Sequence, residues 1–156
     1  LVVIYPSANP GKIQTLKDLS KPGLKIVLAD KSVPVGQYAL TFLDNTSKDS
    51  AFDTGYKNAV LNNVVSYEQD VKAVLAKVTL GEADAGIVYT TDLATDKAGK
   101  ISGLDIPDSL NVIAVYPVAF LQDSPHLQLA QAFVDYLHSS ESQKIFVKYG
   151  FIPANQ

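Results

Sequence analysis

Tyr89 stands where a short apolar run ends and a polar one begins, and a phenol at such a boundary can donate a hydrogen bond to a ligand. Residues 66–93 read SYEQDVKAVLAKVTLGEADAGIVYTTDL. Val71, Val74, Leu75 and Val78 recur at helical spacing, with Lys72 and Lys77 facing water. Gly81 ends that helix, residues 82–84 turn, and residues 85–89 form a buried strand. Thr90, Thr91 and Asp92 can cap a further helix. In open α/β sheets ligands collect at the carboxyl ends of strands, so Tyr89 sits where a ligand would be. The alternative is a half-buried aromatic whose hydroxyl meets a nearby carbonyl.

A second set of donors comes from residues 31–37, KSVPVGQ. Pro34 suits a first helical position, because its missing N–H would have been unpaired there. The N–H groups of Val35, Gly36 and Gln37 would then point out of the helix without intrahelical partners. The macrodipole adds partial positive charge, so an anion can bind there without a cationic side chain. A plain helix start satisfied by water has the same sequence.

The start of the helix at residues 66–80 admits two registers. Ser66 with Gln69 fits a capping box that begins the helix at Tyr67 and bonds the Val71 N–H internally. A start near Glu68 or Gln69 leaves that N–H free.

Composition removes other chemistries. All 13 basic residues are lysine and the net charge is −3, which argues against nucleic acid as a partner. Cysteine is absent, so there is no disulfide, thiolate nucleophile or zinc-thiolate site. His126 and His138 have no metal-ligand spacing and read as exposed helix residues. Asp84, Asp92 and Asp96 read as turn and cap residues. No nucleophile elbow, phosphate loop or dinucleotide fingerprint is present, and nothing assembles an enzyme, a cofactor site or a cation site. No apolar run reaches the length of a membrane span. The chain opens inside a strand-like run without methionine, which reads as a fragment or processed chain.

The elements that must position these donors follow from periodicity. With 156 residues, 47% of them hydrophobic, one domain with a real core is expected. Residues 1–5 form a buried strand ended by Pro6, residues 15–20 a short helix, and residues 24–30 a second strand. That order implies a right-handed parallel crossover. Residues 34–45 and 51–61 read as helices, residues 64–67 as a strand and residues 101–106 as an edge strand. Residues 112–121 read as a long strand interrupted by Pro117, echoing the apolar-Tyr-Pro pattern of residues 4–6. Residues 125–137 and 140–149 are amphipathic helices, the first with Leu129, Ala130, Phe133, Val134 and Leu137 on one stripe.

Several segments, KPGLKIVLAD, VPVGQYA, DVKAVLAKVTLGEADAGIVYTTD, VYPVAFL and FVKYGF, resemble in order the last two-thirds of the ModA family, the molybdate- and tungstate-binding proteins that serve ABC importers. The resemblance implies an α/β fold of the type II periplasmic-binding-protein kind, mainly one three-layer αβα lobe with hinge strands. Residues 1–6 would be one hinge strand, 7–116 the ligand-binding lobe, and 117–156 a second hinge strand with C-terminal helices belonging to a first lobe. It implies oxyanion contacts from the N–H groups of Val35 and Val71 and the hydroxyl of Tyr89, which favours the later helix start. The ligand would be molybdate or tungstate, the partner a membrane permease, and the location periplasmic or extracellular at a membrane. The effector domain of a transcription regulator is the alternative on the same fold. Without first-lobe partners, residues 1–4 and the 129–137 stripe would be exposed and could pair two copies of the chain.

Overall fold

The computed structural model describes residues 1–153. The chain divides into two compact units, Leu1–Ile113 and a second from Ala114 onward. In the first unit, five strands form one sheet: β1 (Val2–Pro6), β2 (Ile26–Ala29), β3 (Val64–Glu68), β4 (Ala85–Val88) and β5 (Ile101–Asp105), in the order β3-β2-β4-β1-β5. β2 runs parallel to β3 and β4, whereas β1 runs antiparallel to β4 and β5.

Every residue of β2 and β4 is buried, as are Val2, Val3 and Ile4 of β1. Successive strand residues point to opposite faces, so unbroken burial means that both faces are covered. That is the expected three-layer arrangement. The helices of this unit are α1 (Pro34–Thr46), α2 (Tyr56–Asn62), α3 (Val71–Thr79) and α4 (Thr90–Leu93), with a 3-10 helix at Leu16–Ser20. α1 buries Ala39, Phe42 and Leu43, and α3 buries Val74 and Val78. Gly86 lets α3 lie close on β4, since a Cβ there would sit 2.8 Å from Val74 Cγ1 and 3.1 Å from Val78 Cγ2.

Three expectations fail here. The first strand is not joined to β2 by a parallel crossover: β4 lies between them and β1 is antiparallel to it. A 3-10 helix of five residues is too short to carry a parallel return over a sheet face. Residues 1–4 are not exposed either, because β4 and β5 flank β1 on its two sides. Finally, residues 112–121 form no strand. A strand needs a neighbour, and both edges of β1, whose motif this run echoes, are already occupied. The helix expected at residues 51–61 also shortens, beginning at Tyr56 rather than at residue 51.

The second unit contains α5 (Leu127–Leu137) and α6 (Ser140–Lys148), close to the expected bounds. Ser139 caps α6, accepting from the Ser142 N–H at 3.3 Å. The rings of Tyr116 and Phe151 meet edge to face at 6.1 Å. On α5, Leu129 is 72% and Phe133 58% exposed, so the apolar stripe is open within this unit, as expected.

Candidate functional site

Three parallel strands bring the three sequence-predicted donors to one edge of the sheet. Ala29 of β2 pairs with Glu68 of β3, and Ile26 pairs with Ala85, so the carboxyl ends of β3, β2 and β4 are level. Val35 follows the end of β2, Val71 the end of β3, and Tyr89 the end of β4. Adjacent strands lie about 4.8 Å apart, so the three ends span roughly 10 Å.

The β2 exit is built from a tight turn. The Asp30 N–H donates to Glu68 O at 2.7 Å, extending the β2–β3 ladder by one bond. Asp30 Oδ1 accepts the Ser32 N–H at 2.8 Å, and Asp30 O accepts the Val33 N–H at 3.0 Å. Hydrogen bonds from Ser32 hold the Asp30 carboxyl below its usual range. Val33 is the N-cap of α1 and Pro34 its first residue.

Of the three N–H groups expected to be free, two are not. Gly36 and Gln37 both donate to Val33 O, at 3.1 and 3.2 Å. The first turn has tightened around one carbonyl, a usual way to satisfy helix-end donors. The Val35 N–H is left with no acceptor among the described residues, and Val35 is only 3% exposed. Gly36 makes this geometry possible. A Cβ at position 36 would lie 2.1 Å from Asp30 O and 2.5 Å from Ala29 O.

At the β3 exit the helix starts late, at Val71. Asp70 is the N-cap, its Oδ1 accepting the Ala73 N–H at 2.8 Å. The Val71 N–H has no acceptor among the described residues. The Ser66–Gln69 capping box does not form, because Ser66 belongs to β3. Ser66 Oγ instead donates to Glu68 Oε1 at 2.6 Å, and Lys77 Nζ reaches the same oxygen at 2.6 Å. That pairing with Lys77 holds the Glu68 carboxyl below its usual range.

At the β4 exit Tyr89 is half-buried and extended, the N-cap of α4. Its N–H donates to Asp92 Oδ2 at 3.0 Å. Burial raises the Asp92 carboxyl above its ordinary range; the Tyr89 N–H and the charge of Lys72 oppose that shift. The named donors are thus two backbone N–H groups and one phenol, all neutral. Such a set can replace the water around an anion without supplying a counter-charge.

Of the other aspartates, Asp96 stays in its local turn as expected, whereas Asp84 makes a long-range bond instead of a turn or a cap. Asp84 Oδ2 accepts the Lys25 N–H at 2.8 Å, and Asp96 Oδ2 accepts the Ile101 N–H at 2.8 Å. His126 and His138 are exposed at the two ends of α5. Among the described residues no three His, Cys, Asp or Glu side chains are grouped to hold a metal ion, and no helix is long and apolar enough to cross a membrane. A depression of about 430 Å3 is lined by Leu16, Phe52, Leu104 and Pro107.

Sequence reasoning missed Gly36 as a steric requirement and Asp70 as the cap that frees Val71; it read Asp92 as a cap, which it is, without naming the Tyr89 N–H as the group it accepts. Asp70 and Asp92 carried a signal, an aspartate beside a helix start. Gly36 carried none, since its role depends on a strand ending several residues earlier.

Comparison with known proteins bears on these features. Residues 1–152 match the family model described as "Bacterial extracellular solute-binding protein". The molybdate-binding protein ModA of Mycobacterium tuberculosis is 33% identical over 151 residues, covering 97% of this chain and 53% of that protein. A sulfate-binding protein of Synechococcus elongatus is 25% identical over 165 residues, covering 99% of this chain and 47% of that one. Among solved structures, the substrate-binding domain assigned to a molybdenum ABC transporter of Clostridium difficile matches with a TM-score of 0.78 at 30% identity, over 99% of this chain and 63% of its own. The chain spans about half the length of the curated relatives it matches.

Proposed function

The chain belongs to the bacterial extracellular solute-binding proteins, and from that premise we propose that it forms the anion-contacting part of an ABC-importer receptor. The ligand is a tetrahedral oxyanion, molybdate or tungstate. Val35 and Val71 hold it through their N–H groups and Tyr89 through its hydroxyl. The observation that supports this reading is the level set of three parallel strand ends, each leading into one of the three donors.

The mechanism is closure of two lobes on a desolvated dianion. Residues 7–116 form the lobe that carries these donors. Residues 1–6 and the run beginning at 117 act as hinge segments, and the C-terminal helices belong to the other lobe. A membrane permease receives the loaded receptor at the outer face of a cell membrane. Each charge-assisted hydrogen bond contributes about 1.5–3 kcal/mol net, so tight binding requires several at once. Molybdate, tungstate and sulfate carry equal charge, so cavity size selects among them. No catalytic residue or cofactor enters this scheme.

Titration calorimetry of the intact protein with molybdate, tungstate, sulfate and phosphate tests the reading. The expected order places molybdate and tungstate well ahead of sulfate and phosphate. Sulfate binding as tightly as molybdate would overturn the choice of ligand.

A further inference from the structure

We propose that Asp92 is a positioning residue for this site: it holds the Tyr89 backbone at the end of β4 and so fixes where the phenol leaves the sheet. The inference rests on the function proposed above for the site itself.

The need for such a residue comes from the way β4 ends. The ladder between β1 and β4 closes at Val2 and Val88. On its other side the pairing of β4 with β2 closes earlier still, at Val27 and Gly86. The Tyr89 N–H therefore leaves the sheet next to a fully buried Val88, and a donor in that position needs an acceptor. Asp92, at the third position of α4, supplies it at 3.0 Å.

Asp92 also acts across the site. The charge of Lys72, which follows Val71 directly in the first turn of α3, favours the ionised form of the Asp92 carboxyl. One half-buried side chain is thus bonded to the segment that carries the phenol and electrostatically coupled to the segment that carries the Val71 N–H. An asparagine could accept the same N–H without a charge. The carboxylate therefore adds negative charge beside a proposed dianion site, and its removal separates positioning from electrostatics.

Two variants of the intact protein make the test, Asp92→Ala and Asp92→Asn, each followed by molybdate calorimetry and by amide hydrogen exchange. The alanine variant loses the acceptor; molybdate affinity is expected to fall about tenfold and exchange at the Tyr89 amide to quicken. The asparagine variant is expected to keep Tyr89 protection and to bind molybdate at least as tightly as the parent protein. Protection at Val3 and Val88, read in the same experiment, reports whether each variant is folded. Asp92→Ala with parental affinity and parental Tyr89 exchange would overturn the proposal, as would Asp92→Asn as impaired as Asp92→Ala. Should the parent protein bind no oxyanion at all, the functional reading fails, and the exchange at Tyr89 still decides whether Asp92 holds it.

Discussion

A single methyl group at Gly36 would lie 2.1 Å from the carbonyl oxygen of Asp30. Backbone meets backbone at that point, so no side-chain rotation can relieve the contact. Through it the first turn of α1 rests on the end of β2, which sets the position of the Val35 N–H relative to the other two strand ends.

Gly36→Ala must move α1 away from β2 or bend the turn at residues 30–33. Overpacking of this kind typically costs about 1–3 kcal/mol, and the absence of a flexible neighbour places this case at the upper end. Urea unfolding is expected to show a midpoint lowered accordingly, with molybdate affinity of the intact protein reduced as well. A variant of parental stability would mean that α1 is less constrained than this contact implies.

The acid limb of the stability curve should depend on Asp18. Its carboxylate accepts the Gln14 and Thr15 N–H groups, each at 2.8 Å, and pairs with Lys21 at 2.9 Å. These bonds, that from Gln14 foremost, pull its pKa down to about 2. An unfolded aspartate titrates near about 3.9. The folded value is the lower one, so the ionised group stabilises the fold above the unfolded value. That contribution is lost as pH falls from about 4 to about 2. Asp18→Asn should flatten the pH dependence of the unfolding free energy in that window and leave its slope near neutrality unchanged. An unaltered acid limb would show that other carboxylates control it.

Much of this arrangement was legible in the residues. Unbroken apolar runs marked β2 and β4, the Val74–Val78 stripe marked α3, and the phenol of Tyr89 ended its strand as expected. Periodicity reports which residues are buried but not the direction in which a strand runs. The antiparallel β1 was therefore invisible, because its direction is set by partners more than 80 positions away, as in the pairing of Val2 with Val88. The same limit explains residues 112–121, whose composition suits a strand that has no partner here. The helix start at Val71 turned on competition between Ser66 and Asp70 as caps. Pairing of Ser66 within β3 decided it, and that pairing is a tertiary fact.

Tyr89→Phe isolates the hydroxyl, because the bond to Asp92 is made by the backbone N–H and survives the change. In the intact protein the variant should lose about 1–3 kcal/mol of molybdate affinity, the usual cost of deleting one partner of a hydrogen bond. An unchanged dissociation constant would return Tyr89 to the role of an ordinary aromatic at a strand end.

The 156-residue chain by itself provides a last test. On the two-lobe reading, an anion held by one lobe alone stays in contact with water on its other side. There, each bond to the anion replaces one that water would make, and high dielectric weakens the attraction. Affinity for molybdate should then be no better than millimolar, about −4 kcal/mol. The apolar residues Val115, Leu121, Leu129 and Phe133 are 58 to 81% exposed, whereas β1 is buried and paired on both sides. Association of the isolated chain should therefore run through residues from 114 onward rather than through its first strand. Sedimentation is expected to show a dimer that dissociates when Leu129 and Phe133 are both replaced by serine, because exposed apolar side chains supply the attraction. A monomer that binds molybdate at micromolar concentration would show that one lobe suffices. It would overturn the closure mechanism while leaving the three donors in place.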